Sequence, residues 1–261
     1  MLLATWNVNS LTARLPRVLE LLGTHRPDVL CLQETKVGPS AFPTDALEEA
    51  GYAAAHLSGG RWAGVAILSP LGSAPYDVTR GLPGEVQAGE ARWVEATVGP
   101  LRVASVYVTN GRALGTVQYD EKLAFLAAMR ARVADLAAGP LPLYVAGDMN
   151  IAPADEDVWD PSLFVGTTHT SAPEREGLRA ILDAGLVDAY AVAPGPIRFT
   201  YYDYRAGMFH KGMGMRIDLA LLSSSLAPSI RRCGIDRDFR KGLKPSDHAP
   251  LLVELDLSTD S

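Results

Sequence analysis

Apolar positions fall in short runs separated by polar turns. The segments LLATWNV (2–8), DVLCLQE (28–34), GVAILS (64–69), RWVEATV (92–98), LRVASVYV (101–108), LPLYVAGD (141–148), RIDLALLS (216–223) and APLLVEL (249–255) have the length of buried strands, most bounded by Gly, Pro or Ser. Between them, 14–26, 44–51, 119–139 and 174–185 read as amphipathic helices that often stop at glycine. In the third, Leu123, Leu126, Met129, Val133 and Leu136 recur at helical spacing, which marks a core-facing stripe. Strand runs outnumber helices two to one, so strict βα alternation is excluded and two packed sheets flanked by helices are expected.

Length and composition narrow this picture. With 261 residues, 48% of them hydrophobic, and no repeat or linker, the chain is expected to form a single domain over 1–261. No basic leader precedes a long apolar stretch, and no run reaches the roughly 18 apolar residues of a spanning helix. A soluble, cytoplasmic protein follows, nucleoid-associated in a bacterium and without membrane partners. Cys31 and Cys233 lack CxxC spacing and are expected to be buried free thiols.

The net charge of −6 argues against nucleic acid as a partner until its distribution is considered. Between Arg198 and His248, ten Lys and Arg stand against five acids, which leaves that segment at +5. A solvated Arg-rich surface would account for this equally well unless an active site lies beside it.

Polar constellations cluster at the ends of the apolar runs: Asn7 and Asn9 in TWNVNS, Gln33 and Glu34 in LQETK, Asp148 and Asn150 in VAGDMNIAP, Asp247 and His248 in KPSDHAP, and Asp218 in MRIDLALLS. Taken singly, each has a structural explanation, because Asp and Asn also cap helices and make turns. Their shared position at strand ends favours delivery to one rim. Period two would put Asn7 with Asn9, and Asp148 with Asn150, on common faces if the backbone stays extended. Asp218 sits in an apparently buried strand, where a carboxylate needs a cation, and His248 is the natural partner. Neighbours on an extended chain face opposite ways, so Asp247 can turn to a metal while His248 turns to Asp218. Oxygen ligands without a Cys/His cluster favour Mg²⁺ or Mn²⁺, with Glu34 and Asp247 as carboxylates, and the chemistry implied is phosphoester hydrolysis.

At these residues the chain resembles the exonuclease III family of abasic-site endonucleases, within the endonuclease/exonuclease/phosphatase superfamily of DNase I-like fold. PDVLCLQETKV, GRWAGVAILS, GDMNIAP, APEREGL, MRIDLALLS and PSDHAP occur in the family's order over nearly the whole length. The resemblance implies an α/β fold, a four-layered α/β sandwich of two mixed sheets packed face to face with helices outside. It implies a metal held by Glu34 with Asn7 and Asp247, and, for a second ion, Asp148 and Asn150. It assigns Asp148 to the attacking water with Asn150 beside it, Asp218 and His248 to an Asp–His pair facing the scissile phosphate, and Tyr107 and Asn110 to phosphate contacts. Tyr201, Met215 and Ile217 would line a pocket for a flipped-out sugar lacking its base. Arg205 and Arg216 lie in a segment suited to DNA phosphate contacts, while Arg112, two residues beyond Asn110, fits a reach into a DNA groove and a solvated loop residue equally well.

The implied function is a divalent-metal-dependent DNA repair nuclease, cutting 5′ to abasic sites, with 3′→5′ exonuclease and 3′-phosphodiesterase activity on double-stranded DNA. A monomer is expected. Two alternatives stay open, a phosphatase acting on a small phosphorylated molecule and a DNA-binding protein without catalysis. Thr109 stands where relatives carry proline and is expected to loosen the loop bearing Tyr107 and Asn110; Tyr201 and Met215 also depart from the family's bulkier or aromatic choices.

Overall fold

A computed structural model describes residues 1–86 and 89–257. Its strands are β1 (Leu2–Asn7), β2 (Val29–Gln33), β3 (Tyr52–Leu57), β4 (Val65–Pro70), β5 (Tyr76–Arg80), β6 (Trp93–Val98), β7 (Leu101–Tyr107), β8 (Leu143–Asp148), β9 (Leu186–Asp188), β10 (Asp218–Ser223), β11 (Ile230–Ile235) and β12 (Leu251–Leu255). They form two six-stranded sheets, in the orders β11-β12-β1-β2-β4-β3 and β5-β6-β7-β8-β10-β9. The helices are α1 (Leu11–His25), α2 (Thr44–Glu49), α3 (Val117–Ala137), α4 (Ala172–Leu182) and the short α5 (Ala189–Val192) and α6 (Met208–Lys211).

Each sheet has one parallel pair at its centre, β1 with β2 and β7 with β8, and every other pairing is antiparallel. A parallel pair needs a long crossover, which α1 and α3 supply. Side chains at Ser10, Thr116 and Ser171 cap α1, α3 and α4, and Ser171 forms a reciprocal capping box with Glu174.

Three apolar clusters define four layers. Leu3, Cys31, Val103, Tyr144, Ala146, Ala220 and Val253 pack between the sheets. Ala4, Trp6, Leu30 and Leu32 meet α1 and α2, while Ala104, Val145, Leu219 and Leu221 meet α3 and α4. This is the four-layered α/β sandwich expected, and both cysteines are buried free thiols.

Strand periodicity then positions the site. In β1, β7, β8 and β10 the residues of the inter-sheet face alternate with those facing helices, and the inward series ends at Asn7, Tyr107, Asp148 and Asp218. All four therefore meet at one rim between the sheets. Below them, Gln33 donates to Thr5 Oγ1 (3.0 Å) and Ser105 Oγ (3.1 Å), a buried polar tie from one sheet to the other. Gly147, just before Asp148, has φ +153°, and a Cβ there would lie 1.9 Å from the Val106 carbonyl oxygen, so only glycine lets β7 and β8 approach this closely.

Candidate active site

The register pairs Asp148 with Tyr107 on one side and with Asp218 on the other. Like charges opposite one another across strands repel, and His248 resolves the conflict. Its Nδ1 lies 2.7 Å from Asp218 Oδ2 and its Nε2 3.9 Å from Asp148 Oδ2. Burial alone would lower the imidazole pKa, but the charge and hydrogen bond of Asp218, with Asp148 and Asp247, raise it to about 10. His248 is thus an imidazolium at neutral pH. Asp148 is pushed up to about 7, chiefly by burial and then by the charges of Asp218 and Glu34, against the pull of His248 and the Asn7 hydrogen bond.

The loop bearing His248 is fixed from both sides. Trp6 Nε1 donates to the His248 carbonyl (2.9 Å), Ser246 Oγ donates to the Asn7 carbonyl (2.7 Å), and the Tyr202 amide donates to the Asp247 carbonyl (2.9 Å).

The extended backbone expected beyond the strands is replaced by turns. Asn9 and Asn150 have φ of +44° and +51°, and their amides donate to Asn7 Oδ1 (3.0 Å) and Asp148 Oδ1 (2.9 Å). The Arg112 amide donates to Asn110 Oδ1 in the same way (3.1 Å). These Asx-type turns bend the chain at three strand ends and aim the second polar residue sideways. Asn150 then bonds Asn110 Nδ2 (3.1 Å) and the Val108 carbonyl (2.9 Å), which holds its left-handed conformation.

On the other sheet, Glu34 has φ +50° and bonds Asn7 Nδ2 (2.8 Å), which also reaches Asp148 Oδ2 (2.9 Å). Asn7 thus turns N–H groups, not its amide oxygen, toward the two carboxylates. Asp247 accepts from Asn9 (3.1 Å), and it lies outside the group of Glu34, Asp148 and His248 whose ligand atoms fall within 4.8 Å of one another. Lys36 Nζ lies 2.6 Å from Glu34 Oε2 and 2.7 Å from Asn9 Oδ1. An ammonium on two converging oxygens marks a place that favours positive charge, and a donor set of oxygens suits a hard divalent cation.

Glu34, Tyr107, Asn110, Asp148, Asn150 and His248 line a cavity of about 110 Å³, together with Tyr201, Met215, Ile217 and His169. Tyr107 also hydrogen-bonds Glu34, and burial followed by the Glu34 and Asp148 charges keeps it a neutral phenol. Tyr201 tilts against His248 with ring centroids 5.0 Å apart. Met215 and Ile217 pack with Ala152 and Val158, so they are at once small core and cavity wall. Thr109, expected to loosen its loop, is buried.

The sequence did not single out His169. Its Nδ1 donates to the Asn150 carbonyl (2.6 Å), and burial, then Lys122, lowers its pKa to about 4, so it is neutral. It also lines a more apolar neighbouring cavity of about 310 Å³, with Trp159, Phe164, Met208 and Met213. Nothing in TTHTS distinguishes this histidine from a surface one.

Arg216 departs from expectation. Its guanidinium is buried against Asp157 (2.8 and 2.9 Å) and Asp188 (2.6 Å), committed to holding loops beneath the cavity wall. Arg205 is exposed but gripped by Asp203. Arg198, Arg231, Arg232 and Lys241 are likewise paired with acids, so most of the basic segment is neutralised within the fold. Arg112 is exposed on the loop beside Asn110.

Residues 4–248 match the model of the Endonuclease/Exonuclease/phosphatase family. Exodeoxyribonuclease III of Haemophilus influenzae is 30% identical, covering 96% of this chain and 98% of that protein. The 3′ phosphatase NExo from Neisseria, solved with a product DNA hairpin, is 39% identical with a TM-score of 0.94, covering 98% of this chain and 99% of the other. An AP endonuclease from Archaeoglobus fulgidus is 32% identical with a TM-score of 0.93, covering 98% and 100%.

Proposed function

This chain belongs to the endonuclease/exonuclease/phosphatase family, and from that premise we propose that it is a metal-dependent DNA repair nuclease of the exonuclease III kind. It hydrolyses the phosphodiester 5′ to abasic sites in double-stranded DNA and works on 3′ ends as an exonuclease and 3′-phosphodiesterase. The observation that carries this reading is the convergence of Glu34, Asp148 and an imidazolium, His248, at one buried rim.

Glu34 would hold the ion, with Asn7 and Asp247 beside it; Mg²⁺, or Mn²⁺ in its place, would neutralise charge on the phosphate and the departing oxygen when bound. Asp148 accepts a proton from the attacking water, whose oxygen bonds phosphorus as the bond to the 3′-oxygen breaks. The 3′-oxygen leaves as a hydroxyl after taking a proton from solvent. With Nδ1 committed to Asp218, His248 offers Nε2–H to a non-bridging oxygen that gains charge in the transition state. Asn150, Asn110 and the Tyr107 phenol complete the phosphate contacts. Tyr201, Met215 and Ile217 receive the sugar. Arg112 and Arg205 meet the backbone at the rim, and the chain acts as a monomer and a single domain.

The test is cleavage of an end-labelled duplex with one abasic site, beside undamaged and recessed 3′ ends, in Mg²⁺, Mn²⁺ or EDTA. Metal-dependent incision at the abasic site and shortening from 3′ ends are expected. Full cleavage in excess EDTA would rule the reading out, as would turnover of inositol phosphates with none of DNA. Binding without cleavage in any divalent ion would make it a DNA-binding protein alone.

A further inference from the structure

Lys122 of α3 and Glu174 of α4 form an ion pair in which both side chains are wholly buried. A buried pair of this kind adds little stability over apolar residues of similar volume, because desolvation offsets the attraction. What it does provide is geometry. Lys122 Nζ donates to the carbonyls of Asn150 (2.7 Å) and Asn110 (3.3 Å), the two asparagines that line the cavity beside Asp148. Glu174 divides its oxygens. Oε2 completes the capping box with Ser171, while Oε1 accepts from Lys122, Thr168 Oγ1 (2.8 Å) and the His169 amide (2.9 Å).

One ion pair thus grips three separate loops, after β7, after β8 and before α4. The β7 loop closes onto it because residue 111 is glycine. With φ +83°, a Cβ at Gly111 would lie 3.0 Å from Lys122 Cδ and 3.1 Å from Thr168 Oγ1. The Asn150 carbonyl accepts from Lys122 and His169 together, while its amide is held by Asp148. The left-handed turn that carries Asn150 is therefore pinned at both ends, by Asp148 in front and by the ion pair behind.

We propose that Lys122 and Glu174 are positioning residues for hydrolysis, setting Asn150 and Asn110 in register with Asp148 without touching substrate. The inference rests on the nuclease reading, since it assigns the pair a part in that reaction. A misplacement of about 1 Å at such a site can cost about 100-fold in rate.

The test uses the full chain with Mg²⁺ and a duplex with a recessed 3′ end, measuring kcat, KM, thermal midpoint and, in metal-free protein, amide hydrogen exchange. Lys122→Met is expected to lower kcat about 10- to 100-fold with KM within about 3-fold. Exchange at the Asn150 amide should quicken at least about 10-fold while Val145 and Ala146 in β8 hold. Lys122→Arg should restore part of the rate. If Lys122→Met does not fold, Glu174→Gln, which keeps size and an acceptor, carries the same expectation at smaller amplitude. Ser171→Ala is the control, removing the hydroxyl that caps α4 through Glu174 and meets the Tyr119 hydroxyl (2.6 Å) while leaving Glu174 Oε1 on Lys122; it should lower the thermal midpoint and leave kcat within about 2-fold.

The proposal is overturned if folded Lys122 or Glu174 variants keep wild-type kcat, if Ser171→Ala loses rate as they do, or if exchange quickens uniformly along the chain. Should the wild-type protein cleave no DNA, the nuclease reading fails and the assigned role in hydrolysis fails with it. The exchange contrast would then separately decide whether the pair holds these loops.

Discussion

At the end of β2, the Glu34 side chain keeps 15% of its surface exposed and shares a partly exposed Lys36; at the end of β8, Asp148 keeps 2% and faces a His248 as deeply buried. The two parallel pairs deliver these carboxylates from equivalent places, yet to different depths. Access to water suits a cation that must enter and leave. Dryness suits groups whose charges and protons have to be settled before substrate arrives, because electrostatic interactions strengthen as water is excluded. The two halves of the site should therefore fail in different ways when altered.

The largest effect is expected on the dry side. Asp148→Asn preserves size but keeps only one of the two oxygens that accept from Asn7 Nδ2 and the Asn150 amide, and it removes the proton acceptor proposed for the attacking water; single-turnover cleavage should fall about 10³- to 10⁴-fold in a protein that still binds DNA. A loss below about 10-fold would take Asp148 out of the proton transfer. Next comes the imidazolium. His248→Ala should cost about 10²- to 10³-fold, the scale of a removed oxyanion donor. Because the folded pKa of His248 is raised from 6.5 to about 10, its charged form persists through neutrality. Any stability it lends is complete below about pH 6.5 and disappears as pH rises through about 10. The rate should show an alkaline limb in that upper range, and Asp218→Asn should draw the limb downward. An unmoved limb would mean that Asp218 does not hold the proton there.

On the wetter side the loss should be recoverable. Glu34→Gln is expected to raise the Mg²⁺ or Mn²⁺ concentration needed for half-maximal rate by at least about 10-fold, with much of the rate returning at saturating ion. A metal titration run beside the Asp148 variant reads the contrast directly. If high metal rescues neither variant, the difference in exposure carries no functional meaning.

How much of this was legible beforehand depends on whether the signal was local. Eight of the twelve strands announce themselves as apolar runs. The other four do not, for separable reasons: β3 is alanine-rich, β5 is an edge strand exposed along most of its length, β9 has three residues, and β11 has Arg231 and Arg232 between its buried positions. Glu34, Asp148, Asp218 and His248 were readable because strand ends deliver them. The turns at Asn9 and Asn150 were not, since both need a positive φ at a residue that also fits an extended chain. Arg216 was misread because sequence carries its charge but not its partners, Asp157 and Asp188, which lie 59 and 28 residues away. Lys122, Glu174 and His169 belong to the same class, their meaning residing in contacts between helices and loops distant along the chain.

The smallest expected effect concerns the rim, where the same distinction between free and committed charge applies. Arg112 is exposed on the loop after β7, whereas Arg205, although 87% exposed, is held by Asp203 through Nε and Nη2. A guanidinium already matched to a carboxylate adds little field at a phosphate. Arg112→Ala should therefore weaken DNA binding a few-fold without altering kcat, and reduce the slope of log affinity against log salt by about 1, as expected when one phosphate contact is lost. Arg205→Ala should move both quantities less. Equal effects from the two would mean that DNA displaces Asp203 from Arg205 on binding, and the double variant Asp203→Ala/Arg205→Ala would then bind as Arg205→Ala does. A flat salt response in both would place the backbone contacts elsewhere on the rim, away from the loop that carries Asn110.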